Sequence, residues 1–281
     1  METVKLHNGV EMPILGYGVY QVTPEECERC VTDALRVGYR LIDTAQAYFN
    51  EQQVGDAIRK SGIARGEIFL TTKIWITNGG EKKAMKSINE SLLKLQTDYV
   101  DLLLIHQPFG DYYGTYRAME AAYNDGKTRA IGVSNFYPDR FIDLAEHVKI
   151  KPMVNQVETH VFNQQFKAQE IMEKYGTRIM SWGPFAEGRN NMFHDPTLMK
   201  IGNEYGKTAA QVALRYLIQR GVIVIPKSTR MERMRQNMEV FDFTLADDDM
   251  SAIAALDEGK TLFFPHYDPE FVNFLLTLKA D

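Results

Sequence analysis

The sequence predicts an α/β protein, a single (β/α)8 barrel of the TIM class over residues 1–281, with an N-terminal β-hairpin as a cap and a C-terminal tail. Three observations lead there. Eight short β-type runs alternate with amphipathic helical segments. Five of these runs, RLID, VDLLLIH, AIGV, RIMSW and VIVIP, are apolar for most of their length, as parallel strands covered on both faces must be. No Pro/Gly/Ser-rich linker or change of composition divides the chain.

The elements follow in order. Val4 to Leu6 and Val10 to Met12 flank His7-Asn8-Gly9, where Asn-Gly supplies the positive φ of a tight turn. ILGYG is the first barrel run, and PEECERCVTDALRVG is the helix after it. RLID ends on Asp43, and FLTTK, more mixed in polarity, ends on Lys73. Met85, Ile88, Leu92 and Leu95 then place an apolar stripe along one helix face. VDLLLIH ends on His106. AIGV, MVNQVE, RIMSW and VIVIP complete the set, and Gly126, Gly176 and Gly221 each stand between a helical pattern and a strand, where a helix stops in the left-handed region. The aromatic-rich segment from Lys260 either packs across the barrel or closes over a pocket.

Composition narrows the function. Of 281 residues 44% are hydrophobic and 25% charged, which excludes disorder. A net charge of -5 argues against nucleic acid or an anionic membrane as a partner. No apolar run is long enough for a membrane span, and the N-terminus lacks signal-peptide order, so a cytoplasmic location is expected. Cys27 and Cys30 form CERC within a helix; without a second Cys pair, or HxH or HxxxH spacing, they are expected to be structural, and no metal is expected. The barrel buries its own core, so a monomer is expected.

Barrel enzymes carry their chemistry at the C-terminal ends of the strands. Asp43, Lys73 and His106 end three consecutive runs, so an acid, an amine and an imidazole would converge on one mouth.

The segment GYRLIDTAQAYFNEQQVGDAI strongly resembles the aldo-keto reductase family, as do AIGVSNF, VNQVE, SWGPF and IPKS in the same order. The resemblance covers almost the whole chain and is closest to bacterial members that reduce diketogluconate or methylglyoxal. It implies NADP(H)-dependent reduction of a carbonyl to an alcohol by a tetrad of Asp43, Tyr48, Lys73 and His106. Elementary chemistry agrees. Hydride addition builds negative charge on oxygen, which calls for an adjacent proton donor. Tyr48 would donate, Lys73 would lower its pKa, Asp43 would hold Lys73, and His106 would orient the carbonyl.

The resemblance further implies that Ser134, Asn135 and Gln156 hold the nicotinamide carboxamide, with Trp182 stacked on the ring and Gly183, Pro184 and Phe185 beside the cofactor. Lys227, Ser228 and Arg233 would take the phosphate of NADPH, Arg233 would also stack on the adenine, and Asn237 would hydrogen-bond it. Cations near a helix N-terminus suit that phosphate, so NADPH is expected over NADH. Gly16-Tyr17-Gly18 lacks a third glycine and is read as barrel sequence rather than a phosphate loop. Tyr20, Phe49, Trp75, His106 and Gln107 would line the substrate pocket. Many relatives carry Trp at the positions of Tyr20 and Gln107, so this pocket is more polar and suits small polar carbonyls, dicarbonyls or keto sugars. A cofactor-sensing regulatory barrel without catalysis is the alternative. Tyr123 and Lys127 spell YxxxK, the active pair of short-chain dehydrogenases, but the helix stop at Gly126 separates them.

Overall fold

The computed structural model describes residues 2–279. The N-terminal strands β1 (Thr3–Lys5) and β2 (Glu11–Pro13) pair antiparallel, with Val4 opposite Met12. Both strands are displaced by one residue from the sequence expectation. The Leu6 N–H bonds to the Val10 carbonyl within the turn, and the Leu6 side chain enters the barrel floor.

Eight parallel strands follow: β3 (Tyr17–Gly18), β4 (Leu41–Asp43), β5 (Phe69–Ile74), β6 (Leu102–Ile105), β7 (Ile131–Ser134), β8 (Val154–Glu158), β9 (Arg178–Trp182) and β10 (Ile223–Val224). Each pairs with the next in chain order. The Gly16 N–H reaches the Val224 carbonyl at 2.8 Å and the Val224 N–H reaches Ile14 at 2.9 Å, which closes the sheet into a barrel. Closure explains GxG. A Cβ on Gly16 would overlap the Leu41 side chain, and one on Gly18 would lie 3.0 Å from the Ile225 carbonyl. These glycines serve close packing at the seam.

Alternation along each strand sorts side chains into two layers. Leu41, Phe69, Leu102, Leu104, Val154, Met180 and Ile223 point inward, and Leu6 and Met12 of the hairpin plug the lower end. Ile42, Leu70, Leu103 and Val133 face the helices. Gly126, Gly176 and Gly221 take φ of 75°, 71° and 75°, the expected helix stops. Lys127 therefore lies beyond the helix Tyr112–Asn124 that carries Tyr123, and its ammonium goes to Asn89. On the helix Glu81–Leu95 the buried face is Ala84, Ser87, Ile88, Ser91 and Leu95, so Met85 and Leu92 flank it rather than centre it. The two serines displace the expected stripe because Ser91 receives a hydrogen bond from buried Gln46.

Cys27 and Cys30 are buried and unpaired in the helix Pro24–Val37; burial pushes the Cys27 thiol up to about 12. The tail runs over the barrel mouth and ends in the helix Pro269–Thr277. Among the described residues no helix is long and apolar enough to cross a membrane.

Candidate active site

At the C-terminal end of the strands lies a cavity of about 790 Å³. Asp43 closes β4, Lys73 is the penultimate residue of β5 rather than its last, and His106 directly follows β6. The Lys73 Nζ donates to Asp43 Oδ1 at 2.5 Å, to the Thr44 carbonyl at 3.0 Å and to the Tyr48 hydroxyl at 3.3 Å. The second Asp43 oxygen accepts from Gln156 Nε2 at 2.9 Å. Tyr48 sits on a short 3-10 turn, Gln46–Tyr48, that Phe49 ends at φ 57°. Its ring meets His106 edge-on at 5.5 Å, and Trp75 packs edge-on against His106 at 5.0 Å.

Electrostatics follow from burial. Desolvation pushes the Asp43 carboxyl up and the Lys73 ammonium down, while their mutual attraction opposes both shifts. Burial, then the charges of Asp43 and Tyr20, hold the Tyr48 phenol well above its ordinary value. The net shift is thus upward where a downward one was expected, because burial is the largest influence on the phenol and the charge of Asp43, 2.5 Å from the Lys73 ammonium, adds to it. Burial and the Lys73 charge keep His106 well below the usual imidazole range, hence neutral at pH 7, and its Nδ1 is buried without a partner.

Most of the sequence-predicted residues come together here. Asp43, Tyr48, His106, Ser134, Asn135, Gln156, Trp182, Gly183, Pro184, Phe185 and Lys227 line the cavity, as do Tyr20, Phe49, Trp75 and Gln107. Lys73 lies behind the wall, fully buried under Tyr48. Ser228, Arg233 and Asn237 fall outside the lining: Ser228 turns its hydroxyl to the Arg230 backbone, Arg233 is exposed on the helix Met231–Met238, and Asn237 is buried beside Tyr39. Trp182 is fixed by its Nε1–H to Asn135 Oδ1 at 2.9 Å, and Asn135 in turn donates to the His106 carbonyl at 3.0 Å.

Two residues had no assigned role in the sequence, and the tail had two alternative ones. Gln46 accepts from the Trp75 N–H at 3.0 Å and from Asn78 at 2.9 Å, bracing the loop after β5; it lies between Asp43 and Tyr48 in the motif itself. Glu158, at the end of β8, accepts from His160 at 3.0 Å, from the Thr261 hydroxyl at 2.5 Å and from the Leu262 N–H at 2.9 Å. Burial works against its charge, yet these donors hold the carboxyl below the usual range and root the tail. The tail itself contributes Phe263, Phe264, Phe271 and Phe274 to the cavity, and Trp75 Nε1–H reaches the Leu278 carbonyl at 2.9 Å.

An eight-stranded parallel barrel with ionisable groups gathered at its C-terminal mouth defines a barrel enzyme site. The aldo/keto reductase family model matches residues 14–258, and the chain belongs to that family, whose cofactor is NADP(H). It is 44% identical over 261 residues to a glyoxal reductase of Bacillus subtilis, an alignment covering 92% of this chain and 94% of that one. Its fold matches an aldo-keto reductase from a Medee basin deep-sea metagenome library with TM-score 0.92 at 43% identity, covering 94% of this chain and 98% of the other. A Bombyx mori aldo-keto reductase in complex with NADP matches with TM-score 0.89 at 33% identity, covering 97% and 96%.

Proposed function

We propose that this oxidoreductase uses NADPH to reduce small polar aldehydes and ketones, dicarbonyls or keto sugars among them, with Tyr48 as the proton donor. One observation carries the reading. A protonated Tyr48 and a neutral His106 face the same cavity, above a buried Asp43–Lys73 pair. When bound, the cofactor supplies hydride, which no side chain can provide. The residues present suit such a group: the cavity joins the tyrosine to the cationic side chains of Lys227 and Arg189, as an elongated anionic molecule requires. Ser134, Asn135, Gln156 and Trp182 would hold its reactive end beside Gly183, Pro184 and Phe185. Lys227, Ser228 and Arg233 would hold its phosphate, and Asn237 its adenine.

The protein's part is a proton and a position. The neutral imidazole of His106 donates one N–H to the carbonyl oxygen and aligns it. Tyr48 would give its proton to that oxygen as the carbonyl π pair collects there on reduction. Burial keeps the phenol protonated, so the proton is in place when negative charge builds on that oxygen. Lys73, 3.3 Å away, then stabilises the phenolate. The glyoxal reductase relative and the NADP-bound neighbour support this assignment. Two buried, unpaired thiols fit a reducing, cytoplasmic compartment, and the self-contained barrel fits a monomer.

The test is NADPH absorbance with a simple aldehyde. Tyr48→Phe should lose at least about 10²-fold in turnover while still binding cofactor. Near-wild-type turnover would reject the assignment.

A further inference from the structure

The tail places one imidazole against the residue next to His106. His266 Nε2 lies 2.9 Å from Gln107 Oε1. The imidazole is clamped by rings: Phe109 stacks at 6.2 Å, and Tyr137, Phe264 and Phe271 surround it at 5.4, 5.5 and 5.8 Å. Its other nitrogen, Nδ1, is buried with no partner.

These contacts decide which way the amide points. If the proton sat on Nδ1, the ring would bury an N–H with nothing to bond, which costs more than an orphaned lone pair. The proton therefore sits on Nε2, His266 donates, and the Gln107 carbonyl accepts. Burial holds the imidazole at about 4, so this neutral form persists across neutral pH. The Gln107 amino group is left on the cavity side, and it makes no hydrogen bond among the described residues.

Resting on the carbonyl reductase reading above, we infer that Gln107 selects substrates with a second oxygen on the carbon next to the reacting carbonyl, and that His266 is the positioning residue that aims its amide. His106 and Gln107 follow β6 consecutively and line one cavity, so each offers one N–H. The first takes the reacting oxygen. The second takes a vicinal carbonyl or hydroxyl oxygen, which a simple aldehyde lacks. The ligand class is thus 2-oxo and 2-hydroxy carbonyl compounds.

Methylglyoxal and propanal share a three-carbon chain and differ in the second oxygen. The test measures kcat/KM for both with NADPH and follows their ratio between variants, in which intrinsic reactivity and hydration cancel. His266→Phe keeps the ring packing and removes the donor, so the ratio should fall about tenfold, the worth of one net hydrogen bond. His266→Gln can still donate and should recover it to within about threefold. Gln107→Leu should lower the ratio as His266→Phe does, and the double variant should fall no further, because one interaction has been removed twice. An unchanged ratio in His266→Phe, or additive losses in the double variant, overturns this inference and leaves carbonyl reduction standing. No NADPH oxidation by the wild type with either aldehyde overturns both.

Discussion

Lys73→Met should destabilise the fold and abolish turnover, and adding Asp43→Asn should restore the first without the second. The pair is 2.5 Å apart, with side chains 0% and 2% exposed. Removing the ammonium leaves the Asp43 carboxylate with Gln156 as its side-chain donor. Breaking a buried pair in this way costs about 3–5 kcal/mol. Unfolding entropy of about 2.1 cal/mol/K per residue gives about 0.6 kcal/mol/K for a chain of 281, so Tm should drop by about 5–8 °C. In the double variant neither of the two positions carries a charge. The introduced asparagine can still accept from Gln156, and its amide can donate to the Thr44 carbonyl that Lys73 bonds in the wild type. Stability should return to within about 1 kcal/mol, since uncharged residues of similar volume replace buried pairs at little cost. The Lys73→Met deficit should also be smaller at pH 5 than at pH 8. Burial already raises the Asp43 carboxyl, and a group raised in the folded state adds stability at low pH that is lost as pH rises. Thermal melts and NADPH oxidation read the two effects separately. A double variant as unstable as Lys73→Met, or one that regains turnover, would refute the reasoning.

Arg233→Ala should raise KM for NADPH at least about tenfold and by more than KM for NADH, because a charge-assisted phosphate contact, worth about 1.5–3 kcal/mol, is lost only with NADPH; steady-state titration of both cofactors checks it. Acid should loosen the tail before the barrel. His266 is depressed to about 4 and His106 well below its usual range, so below pH 6.5 the unfolded chain binds protons that the folded chain refuses, and stability falls by about 1.4 kcal/mol per pH unit per histidine until the folded groups titrate. Both tryptophans touch the tail, so their fluorescence should shift near pH 4 while far-UV dichroism is retained. Replacing Cys27 and Cys30 by Ala should leave kcat with a carbonyl substrate nearly unchanged, since both thiols are buried in a helix and neither lines the cavity; a loss as large as that of Tyr48→Phe would contradict it.

What was legible in the sequence was whatever is encoded locally. Strand runs, the glycine stops and the residues at strand ends depend on neighbours within a few positions, and Asp43, Tyr48 and His106 meet at one mouth accordingly. Strand length was less legible: ILGYG and VIVIP read as five-residue runs, yet β3 and β10 keep two each, because the seam is carried by a few bonds between residues 14–18 and 224–226. Gln46 and Glu158 escaped assignment since, apart from His160 beside Glu158, the partners named for them lie 29 to 104 positions away. Ser87 and Ser91 look solvent-facing until Gln46 is placed beside them. The acidity of Tyr48 escaped for a similar reason: the sequence shows a lysine in the motif set, whereas the fold buries the phenol and places the Asp43 charge beside that lysine.

The hairpin at the barrel floor and the tail over the mouth put the two described ends of the chain on opposite faces of the molecule. Immobilised through its first residues, the protein would present an unobstructed entrance to solution; tethered through its last, it would turn that entrance toward the support and strain the Leu278 carbonyl against Trp75. A permutant joining the two described ends would need a linker that climbs the full height of the barrel. New ends cut in the loops near Gly62 or Gly206, where even a Cβ would meet nothing within 4 Å, would leave both the plug and the cover in mid-chain.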